Sequence, residues 1–523
     1  MHKLLLFLFI SICFLNCKSS KKAIVNDKKK NAITYYIDPN GNDSNNGISE
    51  KTAWKTLSKI NSRIFFPGDK ILLKSGSVWN ETLVLKGSGV AGSPIIVDKY
   101  GGEVKPILHG GGKSNNTRTV YIDKGSFWEV NNLEVTNTVP EGLIYAATGI
   151  LVKGGDKQDK YTTNISIKNC YVHDVNAATA KQTNYIKVTG GIIINGKVSD
   201  ILVQGNHISK CSVEGIRTTG FSEMEYRSRN IVFDNNFIEN IYGDGIVMAQ
   251  VNGGSKVTNN TVFNACMTND INFAGIWTVA SRNTLVAHNE VYGMKGGGPN
   301  DGMAFDADGW DGPSTTEGDI FEYNYSHDNN GGFMLFMSQA KNITVRYNVS
   351  INDVGTTGAK KLFLIQNSTN KDRYVYNNTF IINNPIDKIF WEGAGAEFSN
   401  NIFYTTSTIN KLCDKTLDAK AVFANNSFYP ENTFKSLNWG TAVLNNNIYS
   451  NPLLTNPGMY GIGFKTTNGL MIQSNSPCRS AGVIILNNGG KDFLGNSIPT
   501  GSPDIGAFQF AVINGAGSFH SKK

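Results

Sequence analysis

One phrase recurs nine times between Cys170 and Asn401: alternating apolar residues, a small polar residue, a turn, then glycine and a second apolar run. The polar step falls at Cys170, Asn206, Asn236, Asn260, Asn289, Asn324, Asn348, Asn378 and Asn401, at intervals of 36, 30, 24, 29, 35, 24, 30 and 23 residues. The stretch NIVFDNN ending at Asn236 returns as NITVRYN ending at Asn348. Repeats of this length are the mark of a solenoid. Because the segments are short, β-branched and alternating, each repeat is a coil of strands rather than a helix pair. The shortest intervals leave room for three short strands, and the longer ones carry loops inserted on one face. The expected fold is therefore all-β, a right-handed parallel β-helix. Asparagine at the fixed step is expected to take the left-handed turn conformation and to hydrogen-bond its counterpart in the next coil.

The ends read differently. Residues 1–17 carry a basic start, an apolar stretch from Leu4 to Leu15 too short for a mature membrane span, and then Cys17 followed by lysines and serines. This resembles a bacterial lipoprotein signal with Cys17 as the lipidated residue, and implies an outer-membrane lipoprotein whose only membrane contact is the lipid; ordinary secretion is the alternative. Residues 18–34 are expected to form a flexible tether, 35–510 a single catalytic solenoid, and 511–523 a tail. The net charge of +7 is a mild excess on 523 residues. Without an Arg- or Lys-rich helix it argues against nucleic acid and suits an acidic polysaccharide or oligosaccharide bound by a monomer. Five cysteines follow Cys17, scattered and odd in number, so no disulfide framework is expected.

Tyr35 to Gly47 reads as a strand entering a turn-rich loop, and Ala53 to Ile60 as a short amphipathic helix plugging the first coil. The coil signals weaken after Asn401, and residues 411–456 are expected to pack along the solenoid as a lid or cap. The opening FPGDKILLKSG at Phe66 and the closing GSPDIGAF at Gly501 resemble the N- and C-terminal signatures of secreted bacterial right-handed β-helix polysaccharide lyases and glycoside hydrolases. The resemblance implies a carbohydrate-active enzyme. It does not choose the reaction, since lyases and hydrolases share the scaffold.

Equal steps of successive coils stack, so columns can be read from the sequence. Aligning Gly215, Gly245, Gly275, Gly302 and Gly332 puts Glu214, Asp244 and Asp301 in one acidic column, where like charges would raise one another's pKa; turn chemistry is the competing explanation of the Asp-Gly pair. Two steps past the glycines stand Arg217 and Trp277, suited to a sugar carboxylate and a pyranose face. Asp306 and Asp308 break this otherwise neutral column and point to one face of a strand. Alternate aspartates with glycine also fit a calcium loop, without the EF-hand spacing; no other cofactor is indicated. His327 lies in the next coil as an acid/base candidate, and Tyr226 lies in a loop that could border the groove.

Two reactions fit. β-Elimination at a uronic acid, or dehydration of a terminal uronate, needs a base and a cation to hold the carboxylate, roles for His327, Tyr226 and Arg217. Hydrolysis needs two carboxyl groups across the glycosidic bond, available among Asp244, Asp301, Asp306 and Asp308. The basic charge balance tips the reading to elimination, with hydrolysis second and a non-catalytic glycan-binding solenoid third.

Overall fold

The structure is a computed structural model that describes residues 31–141, 143, 145–176, 189–268, 273–296, 301–310, 312–355, 360–366 and 372–510. The lipoprotein signal, Cys17 and the tail lie outside the described residues. Each coil lays down three strands in turn. Val198–Gln204, His207–Cys211 and Glu214–Thr219 make one coil; Arg229–Asp234, Phe237–Glu239 and Asp244–Ala249 make the next. First strands pair with first, second with second, third with third, always in parallel, giving sheets of 15, 13 and 12 strands among the described residues. The fold is the expected right-handed parallel β-helix.

The alternation seen in the sequence is the core. Ile201, Phe233 and Val257 from the first sheet, Ile208, Ile238 and Val262 from the second, and Ile216, Ile246, Ile276 and Phe305 from the third are all buried in one cluster. In later coils the interior turns aromatic, with Phe363, Phe380, Phe398 and Phe403 in edge or tilted contact at 4.8–6.4 Å.

The asparagine ladder runs where the first strand turns into the second. Asn236 Nδ2 donates to Asn260 Oδ1 at 2.9 Å and to the Val203 carbonyl, while its backbone N–H donates to the same Asn260 oxygen. The pattern repeats from Asn206 and extends two steps past Asn401, to Asn426 and Asn447. Cys170 heads the column, donating its N–H to Asn206 Oδ1. One expectation fails: the ladder residue is not the left-handed one. Positive φ falls one position earlier, at Asn235, Asn259, Asn377 and Asn400, and also at His288, Tyr323 and Tyr347. The ladder asparagine must aim its amide along the axis, so the sharp turn is made by its neighbour.

The ends also depart from expectation. Trp54 bridges to Ile37 as part of the β-structure, and the capping helix shrinks to Ser58–Asn61. Residues 411–456 are not a lid. Ile409–Cys413, Val422–Ala424, Ser427–Tyr429 and Val443–Asn445 continue the three sheets. The helix Glu431–Lys435 then brings Phe434 against Phe428. The segment that runs back along the outside comes later: Leu454, Leu470, Ile472, Phe493 and Phe508 cover Tyr325, Val349, Ile351, Ile381 and Ile402 of the second sheet.

Candidate active site

The outer face of the third sheet carries the candidate residues. Strand register puts Ile193, Arg217, Val247, Trp277, Asp306 and Leu335 in one column across consecutive coils. Asp306 is therefore the direct neighbour of Trp277 and three coils, roughly 14 Å, from Arg217. Asp308 faces the same way two residues along, paired with Val279. Its Oδ1 accepts the Gly309 N–H at 2.7 Å, and its carbonyl accepts the Thr316 hydroxyl.

Glu214 and Asp244 are register partners, as the spacing implied. The Asp-Gly pair there is extended strand and not a turn. Gly215 and Gly245 are required because a Cβ on either would strike the carbonyl of the next coil's glycine. Asp301 does not join this column. Ile276 pairs with Phe305, so Ala274 lies opposite Met303 and Gly302 is two residues early. Gly302 has φ +80° and serves the turn before the strand, a different use of the same residue type.

Arg217 and Trp277 are not open substrate contacts. Arg217 Nη1 donates to Glu214 Oε1 at 2.7 Å, lies 4.0 Å from Asp244 Oδ2, and stacks its guanidinium 5.4 Å from the Trp277 ring. All four side chains are buried. The arginine's single charge offsets Glu214 beneath the surface and only partly offsets Asp244. Burial first, then Glu214, pushes Asp244 well above the carboxylate range, against the pull of Arg217. These residues form a packed polar foundation beside the aspartates.

The aspartates themselves are poised. Burial, with Asp308, Asp301 and Asp244 adding to it, drives Asp306 well above the usual carboxylate range. Its Oδ1 and the neighbouring Trp277 Nε1 are buried with no hydrogen-bond partner. Such orphans are uncommon in native interiors, and each calls for a physical explanation. Asp301 is half-buried; burial raises it to about 6, opposed by Lys361. Lys361, a residue the sequence reading passed over, is itself lowered to about 8 by burial and donates to the Gly331 carbonyl at 2.8 Å. Its signal was slight: one lysine opening an otherwise apolar strand.

His327 lies elsewhere. It belongs to the second sheet, between Tyr292 and Ile351, on the face covered by the returning C-terminal segment. Its ring stacks on Tyr292 and Tyr325, Nδ1 bonds Asp328 at 2.8 Å, and Nε2 is 3.5 Å from Glu290, an ion pair rather than a hydrogen bond. Burial would lower it, but Asp328 and Glu290 prevail and raise it to about 9. Tyr226 is also apart, its ring between Lys157 and Lys197 at 5.4 and 5.6 Å. Its loop does reach the site through the next residue: buried Arg227 donates to the carbonyls of Pro313 and Thr315, in the turn that follows Asp308. Among the described residues no group of three or more His, Cys, Asp or Glu side chains is arranged to hold a metal ion, and the five cysteines are free.

Known proteins with this architecture complete the description. The family of right-handed β-helix regions matches residues 113–293. A lacto-N-biosidase of Bifidobacterium longum subsp. longum is 24% identical over 482 aligned residues, covering 72% of this chain and 29% of that protein. The chain thus spans under a third of the length of this curated relative. Among solved structures, the GH136 lacto-N-biosidase of Eubacterium ramulus superimposes with a TM-score of 0.56 at 24% identity, over 67% of this chain and 64% of that one. XylC in complex with xylose superimposes at 0.53 and 11% identity, over 92% and 98%. What these proteins share with the chain is its fold, the right-handed parallel β-helix.

Proposed function

We propose that the chain is a carbohydrate-active enzyme and that it hydrolyses a glycosidic bond with paired aspartates. The observation that carries this reading is the division of candidates: three carboxyl groups belong to a single coil, Asp301 in the turn that opens its third-sheet strand and Asp306 and Asp308 on that strand's outer face, whereas the groups needed for elimination are dispersed. Arg217 is already neutralised by Glu214, so it has little charge left for a uronate. His327 sits on another sheet beneath the C-terminal segment. The likeness to lacto-N-biosidases adds weight to a glycosidase.

In this mechanism Asp301, the more open acid and protonated below about pH 6, donates a proton to the leaving oxygen. Asp308 acts as the carboxylate partner, either as base to water or as nucleophile. Asp306, held above the usual carboxylate range by burial and then by Asp308, limits the negative charge beside Asp308, with Trp277 next to it on the neighbouring coil. Hydrolysis splits the C–O bond, the aglycone oxygen taking the proton and the anomeric carbon taking water's hydroxyl.

The test is a panel of aryl glycosides, lacto-N-bioside included, with oligosaccharides and uronate polysaccharides alongside. Hydrolysis releases the aryl group or new reducing ends without absorbance near 235 nm. An absorbance rise there would restore elimination as the reaction, and binding without turnover would favour the glycan-binding solenoid. An envelope lipoprotein anchored through Cys17 suits an enzyme of this kind; Cys17→Ser is expected to abolish lipid labelling and release the protein from membrane fractions.

A further inference from the structure

Past Asp308, along the same edge of the third sheet, the strand ends open into a cavity of about 360 Å³. It is bounded by Gln366, Glu392 to Gly395, and residues of the stretch 415–421, each following a third-sheet strand as Gly309 follows Asp308. The register places it. Ala307 pairs with Phe336, Phe336 with Ile365, and Leu364 with Trp391. Gln366 is thus two coils from Asp308 and Gly393 three, roughly 10 and 14 Å.

Four observations say what this cavity would hold. Its size falls at the lower end for small-ligand sites. Its walls mix carboxylates, an amide and ammonium groups (Glu392, Asp418, Gln366, Lys415, Lys420) with apolar Ile365, Ala394 and Leu417. That is the surface a hydroxyl-rich ring needs, with hydrogen-bond partners around the rim and apolar backing for the C–H face. Glu392 holds φ +72°, as Gln250 and Ala280 hold positive φ just after their own third-sheet strands, so the regular turn of the coil carries its carboxylate into the wall. The floor is braced: buried Arg373 donates to the carbonyls of both Met337 and Gln366, at 2.7 and 3.2 Å, fixing two successive strand ends.

We propose that this cavity is a sugar-binding subsite for a glycosyl unit of a neutral oligosaccharide, held two to three coils from the acids while a bond nearer Asp308 is cut. The inference rests on the glycosidase reading for its place in a reaction, but its binding is separable from it. Gly395 supplies the sharpest variant, because a Cβ there meets nothing within 4 Å and a large side chain would fill the cavity without displacing the fold.

The experiment is calorimetric titration of the full chain with Asp308→Asn as background, to prevent turnover, using neutral xylo- and gluco-oligosaccharides and lacto-N-biose-containing oligosaccharides of two to six units. Affinity is expected to rise at least tenfold with length, and Gly395→Phe should remove that gain with an unchanged melting temperature. Glu392→Gly, which suits the positive φ of the turn and deletes the carboxylate, should weaken the longer ligands severalfold without lowering stability. Equal affinity for long ligands in both variants, or no binding of any oligosaccharide by the background protein, would overturn the subsite. Loss of the length gain in Gly395→Phe, with no hydrolysis by the wild type, would keep the subsite and discard the glycosidase reading.

Discussion

The asparagine turn and the outer face of the third sheet are built from the same coils and obey opposite rules. At the turn, every step repeats one side chain and every amide is satisfied: Asn260 accepts from Asn236 and donates to Phe233 and Asn289, at 2.9–3.0 Å. On the third sheet the outward column changes at every step from Ile193 through Arg217, Val247, Trp277 and Asp306 to Leu335, and Asp306 Oδ1 and Trp277 Nε1 are buried without partners. Repetition that completes its own hydrogen bonds needs no ligand. A departure from repetition that leaves buried polar atoms wanting is where a ligand has something to offer.

Substitutions on the two surfaces are expected to have different consequences. The largest effect belongs to the third sheet: Asp308→Asn is expected to lower turnover at least 10²-fold, the usual scale of an acid–base group, with an unchanged melting temperature. Full activity in this variant would move the chemistry elsewhere, first to Asp301 and Asp306. On the turn, Asn260→Leu should cost about 3 kcal/mol in denaturant unfolding, because it takes the acceptor from the Asn236 N–H and side-chain amide and the donor from the Phe233 carbonyl together. Activity per folded molecule should survive.

Titration separates the two surfaces next. Asp301 must be protonated to act as an acid, so kcat/KM is expected to fall as pH rises through about 6. A profile flat from pH 5 to 8 would remove Asp301 from that role. His327 is raised above its ordinary 6.5 in the folded chain, so the stability it adds is complete below about pH 6.5 and is lost as pH climbs through about 9. The wild-type melting temperature should therefore decline across that window more steeply than that of His327→Gln; parallel curves would mean that the histidine does not pin the C-terminal segment. The smallest effect is expected at Cys170→Asn, which extends the ladder by one step: a stability change of about 1 kcal/mol or less, with the buried amide finding the Val130 carbonyl now near the sulfur.

The fold was legible because a parallel β-helix writes its period into the sequence. Cys170 and the eight asparagines marked the coils, and the ladder they announced is present bond for bond. The site was legible only in part. Asp306, Trp277 and Arg217 could be aligned because a strand's alternation carries over between coils. Asp301 was misplaced because Gly302 looked like Gly275: one sits in a left-handed turn, the other leads directly into a strand and is pressed against the next coil. Burial was illegible. Nothing local announces that Arg217 is buried against Trp277, or that residues after Asn456 return to cover His327, since both depend on segments far apart in the chain. Lys361 and Arg373 were missed for the same reason: a single cation in an apolar run shows its purpose only once a strand from another coil lies beside it.

The ladder has an electrical side as well. From Asn206 to Asn426 each side-chain amide donates to the asparagine of the later coil and accepts from the earlier one, and Asn447 accepts the last of these bonds. The amide dipoles therefore align head to tail along the solenoid axis, and hydrogen bonds in such a chain polarise one another. The arrangement is a side-chain counterpart of a helix's backbone dipole, with its oxygen end toward the first coils and its N–H end toward the last. A break in the middle would do more than delete one rung: it would divide a single polarised column into two shorter ones, so an interior substitution should weaken the bonds of rungs it never touches.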